Sequence, residues 1–327
     1  MVLPCIALSV IRLVFAVHMP FCAPVVESTL APVEARMSEL WEEPKDVGTA
    51  DMLNGPWGAA HAPDPHTVYT FVRPKEGGAN PGVVVRDQMG REWHVKQPHR
   101  GNLGDEGPVE VVLSRVLSAL GYHQPPVYFL PSFTMTDASG TRIEPGGRFR
   151  LEESWLTDRG SWSWQKNPFV DSRPYNGLLV ILLMFNSSDL KNSNNTLYEV
   201  TRDRRVDRWY VVRDLGSALG KTARFRPKRN NIDRFERTLF IRDVTRGFVE
   251  FDYHGLHQEL IRRRISPADA GWAAALAERL SVRQWHDAFR AGGYPPDMAE
   301  RFIDILVARI AQARQIAAGD LQQTGGQ

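Results

Sequence analysis

Two short runs in this sequence carry side chains at spacings that chemistry can use. Ser188-Asp189-Leu190-Lys191-Asn192-Ser193-Asn194-Asn195 brings a carboxylate, an ammonium and several carboxamides together, and Val212-Arg213-Asp214-Leu215-Gly216 adds a second carboxylate downstream. Phosphoryl transfer asks for a carboxylate beside the acceptor, an amide oxygen and another carboxylate on a metal ion, and a lysine on the phosphates. In that chemistry Asp189 is the base, Asn194 and Asp214 are the metal ligands, and Gly216 lets the chain turn away after the second carboxylate. Lys191 is placed to touch the transferred phosphate or the base, with solvent as its other destination. Asn and Asp also favour turns through their own backbone contacts, so the first run alone reads equally as a turn-rich loop. Asn195 replaces Asn194 if the register slips by one.

Elements that could position these residues follow from pattern. Thr67 to Arg73, Val83 to Asp87 and Glu92 to Lys96 are β-rich runs, the last two joined by a hairpin signal at Gln88 to Arg91. Pro108 opens a helical pattern from Val109 to Leu120 that stops at Gly121. Extended segments at Val127 to Met135 and Arg148 to Glu152 flank a turn-rich stretch, Asp137 to Gly147. Tyr175 to Phe185 is an apolar helix leading into the first chemical run, and strands at Thr196 to Val200 and Trp209 to Arg213 lead into the second. Beyond Arg246 the pattern is mostly helical, with starts at Ser266-Pro267 and Ser281 and a final helix from Met298 to Ala318. The order predicts an α+β chain with a small β-rich half carrying one helix and a larger helical half.

Composition leaves room for this. The chain has 327 residues, 43% of them apolar, which suffices for a sizeable core, and a formal charge of +2, which points to no nucleic-acid partner. Its two cysteines, Cys5 and Cys22, stand in the opening stretch, so neither a disulfide framework nor a cysteine zinc site is expected. The apolar run from Val2 to Val17 reads as a signal peptide or a packed apolar segment over residues 1–30, followed by an extension over 31–65. Interrupted by Arg12, His18 and Pro20, the run is too short for a transmembrane span.

The motifs resemble those of the protein-kinase-like superfamily. Asp189 to Asn194 looks like the catalytic loop D-x-K-x-x-N, and Asp214-Leu215-Gly216 looks like the D-F-G metal motif with Leu for Phe. The resemblance implies a two-lobed kinase-like fold, with an N-lobe over 66–155 and a C-lobe over 156–320. It also implies ATP and Mg2+ as cofactors, Lys96 as the phosphate-binding lysine and Glu110 as its ion-pair partner. Glu106, in the loop before the helix, competes for that last role. Gly77 and Gly78, joining the first two strands, stand where the family keeps its glycine-rich phosphate loop. Three departures disfavour an ordinary Ser/Thr kinase: Ser187-Ser188 replaces His-Arg, the glycine loop is not G-x-G-x-x-G, and no A-P-E follows Asp214. The pattern is closer to atypical branches: bacterial toxin-type, phosphoinositide-kinase-like or secretory-pathway kinases.

The leading expectation is therefore an ATP- and magnesium-dependent phosphotransferase whose acceptor is a protein, lipid or small molecule. A pseudokinase acting as a nucleotide-binding or interaction module and a nucleotidyl transferase on the same residues are the alternatives. Export to the periplasm or exterior is favoured over the cytoplasm by the opening run. His254 and His257 offer two imidazoles without a visible third ligand, so they read as structural or surface residues. Trp155, Trp162 and Trp164 read as packing residues before they read as a ligand cleft. The basic stretch from Lys221 to Arg246 suits an anionic acceptor or a solvated loop.

Overall fold

The computed structural model describes residues 35–77, 80–98, 105–202, 205–223 and 228–319. The apolar opening run, both cysteines and Gly78 lie outside them. Among the described residues no helix is long and apolar enough to cross a membrane.

The first three β-rich runs are strands β1 (Val68–Pro74), β2 (Gly82–Arg86) and β3 (Glu92–Lys96). Asp87 closes the β2–β3 hairpin by accepting from the backbone N–H of Met89 and of Arg91, while Gly90 takes a positive φ of 81°. β4 (Val127–Asp137) and β5 (Gly140–Leu151) complete a closed barrel in the order β1-β2-β3-β5-β4, sealed by a parallel β1–β4 pairing. Alternation along each strand sorts its side chains. Trp93, Val95 and Phe149 fill the barrel with Tyr69 and Phe133, and their neighbours His94, Lys96, Arg148 and Arg150 face outward.

The stretch read as turn-rich, Asp137 to Gly147, is mostly strand, with the chain reversing only between Asp137 and Gly140. Its glycines serve close strand approach: a Cβ on Gly146 would lie 1.8 Å from the Leu130 carbonyl oxygen, and one on Gly147 2.1 Å from that of Lys96.

Helix α1 (Glu106–Ala119) starts earlier than Pro108 suggests, because Asp105 caps it by accepting from the Gly107 N–H, and Pro108 sits in the first turn, where a missing N–H costs nothing. Glu106 is thus helical rather than in a loop, one turn from Glu110 and on the same face. Although the sequence groups α1 with the strands, its Val109, Val112 and Val116 pack into the large core formed by the later helices.

That core is built by α2 (Arg173–Met184), α4 (Pro267–Ala277), α5 (Val282–Ala291) and α6 (Pro296–Ala318), with a short α3 (Ile232–Glu236) against α6. Ser266 and Ser281 each form a capping box, which fixes the starts of α4 and α5. Ala299, Phe302, Ile303, Leu306, Ile310 and Ala313 make the buried stripe of α6 at helical spacing. In a three-stranded sheet of β6 (Leu156–Asp158), β7 (Asn195–Arg202) and β8 (Arg205–Val212), the β7–β8 hairpin connects the two chemical runs. A further hairpin, β9 (Ile241–Thr245) and β10 (Phe248–Phe251), occupies a region read as polar chain and helix. It turns at Arg246 and Gly247, both with positive φ as a two-residue hairpin loop requires.

Candidate active site

A cleft of about 820 Å3 opens between the outward face of β3 and β5 and the two chemical runs. Lys96 stands at the end of β3, its side chain only 7% exposed. Its Nζ lies 2.8 Å from Asp214 Oδ1 and 2.5 Å from Glu106 Oε2, and it also donates to Glu110 Oε1. Arg148, one strand over, donates from Nε to the other Glu110 oxygen at 2.8 Å. Asn80 and Arg229 both contact Glu106. Lys96 is therefore held by both glutamates that the sequence set in competition, since one turn of helix presents them together.

The carboxylates of Glu106, Glu110 and Asp214 lie within 4.8 Å of one another. Crowded like charges disfavour ionisation, and a cation among them restores it. Enclosure pushes the Asp214 carboxyl up, but the Lys96 ammonium outweighs this by charge and hydrogen bond and holds it at about 2. Lys96 answers reciprocally: burial pushes its ammonium down, and the charges of Glu110 and Asp214 carry it above the ordinary lysine value. The Lys96 ammonium fills the middle of this set, which leaves the half-exposed Asp214 as the carboxylate free to offer oxygen to a divalent cation, a hard ion that takes oxygen ligands from one or two carboxylates.

The first run is fixed from below. Leu190 is anchored in the large core, and the Ser188 N–H donates to the Ser217 carbonyl at 3.0 Å, which ties this loop to the second run. Asn194 donates from Nδ2 to the Asp189 carbonyl at 2.8 Å, so its Oδ1 remains as an acceptor. The N–H groups of Arg213 and Asp214 both donate to the Asn194 carbonyl, at 2.9 and 3.2 Å. Asp189 takes Lys191 Nζ on Oδ2 at 3.0 Å, while its Oδ1 is buried without a hydrogen-bond partner. Gly216 permits a close approach, since a Cβ there would sit 2.4 Å from the Glu106 Cβ.

Gly77, with φ of 70°, lies at the cleft wall, and Lys75 donates to its carbonyl at 2.5 Å; the paired Gly78 falls outside the described residues. Lys96, Asp189, Lys191, Asn194 and Asp214 all line the cleft, and Glu110 reaches it through Lys96. Asn195 does not, being buried with its amide on the Trp162 carbonyl. His254 pairs with Asp252 and His257 with Glu259, so the two imidazoles serve separate contacts. Trp162 and Trp164 belong to the large core, and Trp155 packs with Trp57 and Trp209. The cleft cations that sequence reading missed are Arg73, Lys75, Arg148, Arg150 and Arg213. Alternation gave a signal for two of them: Arg148 and Arg150 flank the inward-facing Phe149 as His94 and Lys96 flank Val95.

No protein-family model and no curated protein matches the sequence. Solved structures to which the chain is similar include two kinases. One is the Helicobacter pylori proinflammatory kinase CtkA, at a TM-score of 0.45 and 12% identity, covering 78% of this chain and 99% of that one. The other is the Golgi casein kinase, at a TM-score of 0.40 and 12% identity, covering 81% and 73%. These likenesses are loose, and the grouping of Lys96, Glu110, Asp189 and Asp214 stands on the distances above.

Proposed function

We propose that this chain is an ATP- and magnesium-dependent phosphotransferase of kinase-like, two-lobed build, with the barrel and the helical body meeting at the cleft. One observation carries the reading: β3, α1, the loop after α2 and the run after β8 deliver Lys96, Glu110, Asp189 and Asp214 to a single cleft. Asp214 and the Oδ1 of Asn194 are the metal ligands in this reading. A magnesium ion held there would supply positive charge against the negative charge that develops on the transferred phosphoryl group. Lys96, oriented by Glu110 and Glu106, holds the donor's phosphates. Asp189, on the cleft lining, orients the acceptor hydroxyl and takes its proton. Lys191, 3.0 Å from Asp189 Oδ2, holds that carboxylate in place at the cleft.

The test is transfer from γ-labelled ATP to a panel of protein, lipid and small-molecule acceptors, with product masses recorded. Asp189→Asn should lower turnover by about 10²- to 10⁴-fold while ATP affinity stays within about threefold. Undiminished turnover in that variant removes the mechanism. A product heavier by a nucleotidyl rather than a phosphoryl group replaces it with nucleotidyl transfer.

A further inference from the structure

Beside the cleft lies a smaller cavity, of about 270 Å3, whose charge is one-sided. Lys221, Arg234, Arg237, Arg242 and His254 line it against a single carboxylate, Asp252. That carboxylate is already committed: its Oδ1 takes Arg242 Nε at 2.8 Å and lies 2.9 Å from His254 Nε2. The two hydroxyls on the lining are spent on backbone, Thr238 donating to the Arg234 carbonyl and Thr222 accepting from the His254 N–H. Helix α3 explains the excess of cations. Its acids, Asp233 and Glu236, are drawn to Arg301 of α6, which donates to both at 2.8 to 3.0 Å. Arg234 and Arg237, three residues apart and so on one face, line the cavity instead. Arg237 lowers the Glu236 carboxyl by its charge, but the ion pair of Glu236 is with Arg301. Asp243 and Glu250 stand exposed on β9 and β10, and neither lines the cavity. Among the described residues, Lys221, Arg234 and Arg237 make no ion pair.

Two stretches of chain carry the wall of this cavity into the cleft. Thr222 lines the cavity and the next residue, Ala223, lines the cleft; His254 lines the cavity and Leu256, two residues on, lines the cleft. The second stretch is fastened to the loop that bears Asp189. The Leu256 N–H and the Tyr253 hydroxyl both donate to the Ser188 carbonyl, at 3.1 and 3.3 Å, and a Cβ on Gly255 would lie 2.5 Å from the same oxygen. Two residues of chain span at most about 7 Å, so an anion in the cavity and a hydroxyl at Asp189 are a few residues apart on one extended acceptor.

Resting on the phosphotransferase reading, we infer that this cavity docks the acceptor, a peptide segment whose carboxylate or phosphate side chains flank the hydroxyl that Asp189 serves. A peptide suits the site because the anion is held outside the cleft, at a separation that an extended backbone covers. The experiment uses the full chain and serine peptides on an alanine-glycine scaffold, with glutamate, phosphoserine or glutamine at the flanking positions. Binding is read by fluorescence anisotropy without nucleotide, and transfer is read with γ-labelled ATP and magnesium. The anionic peptides should bind about 10-fold or more tighter than the glutamine peptide and show a correspondingly lower KM, an advantage that fades between about 50 and about 300 mM salt because exposed charges are screened. The glutamate and phosphoserine arms tell carboxylate from phosphate. Arg234→Gln with Arg237→Gln, exposed positions with no ion pair to lose, should erase the advantage, and Lys221→Gln should reduce it. If these variants fail to fold, the comparison on the unmodified chain still decides. Equal binding and KM for anionic and glutamine peptides overturns the inference and leaves the phosphotransferase reading intact. So does an advantage that survives the paired arginine changes, or transfer to phosphoinositide vesicles in preference to every peptide. Anionic-peptide binding that the arginine changes abolish, with no transfer to any acceptor, supports the anion site and overturns the phosphotransferase reading.

Discussion

Replacing Lys96 by Met tests the electrostatics of the site without any substrate. Lys96 is 7% exposed and sits among three carboxylates, of which Glu106 and Glu110 are 10% and 4% exposed and Asp214 is 49% exposed. Methionine fills a similar volume, so the change removes charge more than packing. Breaking a buried ion pair by deleting one partner costs about 3–5 kcal/mol. Arg148 on Glu110 and Arg229 on Glu106 stay behind, and water reaches Asp214, so the low end, about 3 kcal/mol at pH 8, applies here. Two carboxylates 4.8 Å apart repel by roughly 3.5 kcal/mol at an effective dielectric of about 20.

The Lys96→Met protein relieves that repulsion by keeping a proton on one carboxyl above the ordinary carboxylate range. A carboxyl whose folded pKa lies above its unfolded one gives stability at low pH that is lost as pH rises through the folded value. The deficit against the parent should therefore shrink to about 1 kcal/mol at pH 5. Urea unfolding in EDTA, followed by the fluorescence of the nine tryptophans, measures both values. An equal deficit at pH 5 and pH 8, or none at either, refutes the reasoning.

Other perturbations probe neighbouring links. Gly216→Ala places a Cβ against Glu106 and should displace the start of α1, costing about 1–3 kcal/mol in urea unfolding and weakening magnesium-ATP binding in a calorimetric titration. Asp214, with its folded pKa lowered to about 2, contributes stability that is present above the unfolded value and lost as pH falls towards 2. Solvent access limits that share to below about 1 kcal/mol, and Asp214→Asn should flatten this part of the acid limb in a pH series of unfolding curves. Arg309 is buried on α6 and donates to the Met184 carbonyl, Asn186 Oδ1 and the Thr238 carbonyl at 2.7 to 2.9 Å. Arg309→Met strands three acceptors and should cost about 3 kcal/mol or more in the same assay, without touching the cleft.

The sequence made the strands of the first half, the apolar α2 and the capped starts of α4 and α5 legible, because period and capping are local signals. It also made the order of Lys96, Asp189, Asn194 and Asp214 legible, since each closes or follows an element with its own pattern. It hid what depends on pairing. Gly146 and Gly147 look like turn residues until β4 and β3 are seen to pass within contact of their backbones. Arg148 and Arg150 read as ordinary strand residues until β5 is paired with β3 and their shared face is known. Pro108 masked the true start of α1, one helical turn before Glu110, and so obscured that both glutamates reach Lys96 together. The β9–β10 hairpin was lost in a run of basic residues whose short strands carry too few apolar positions to show alternation.

The central claim is that Asp214 and Lys96 form a working nucleotide site, and a thermal-shift titration with ATP tests it most directly. The protein should gain stability from ATP only when magnesium is present, and Asp214→Ala should abolish the gain while keeping a cooperative unliganded transition. Stabilisation by ATP that ignores magnesium and survives Asp214→Ala, or no stabilisation by any nucleotide, would contradict the account.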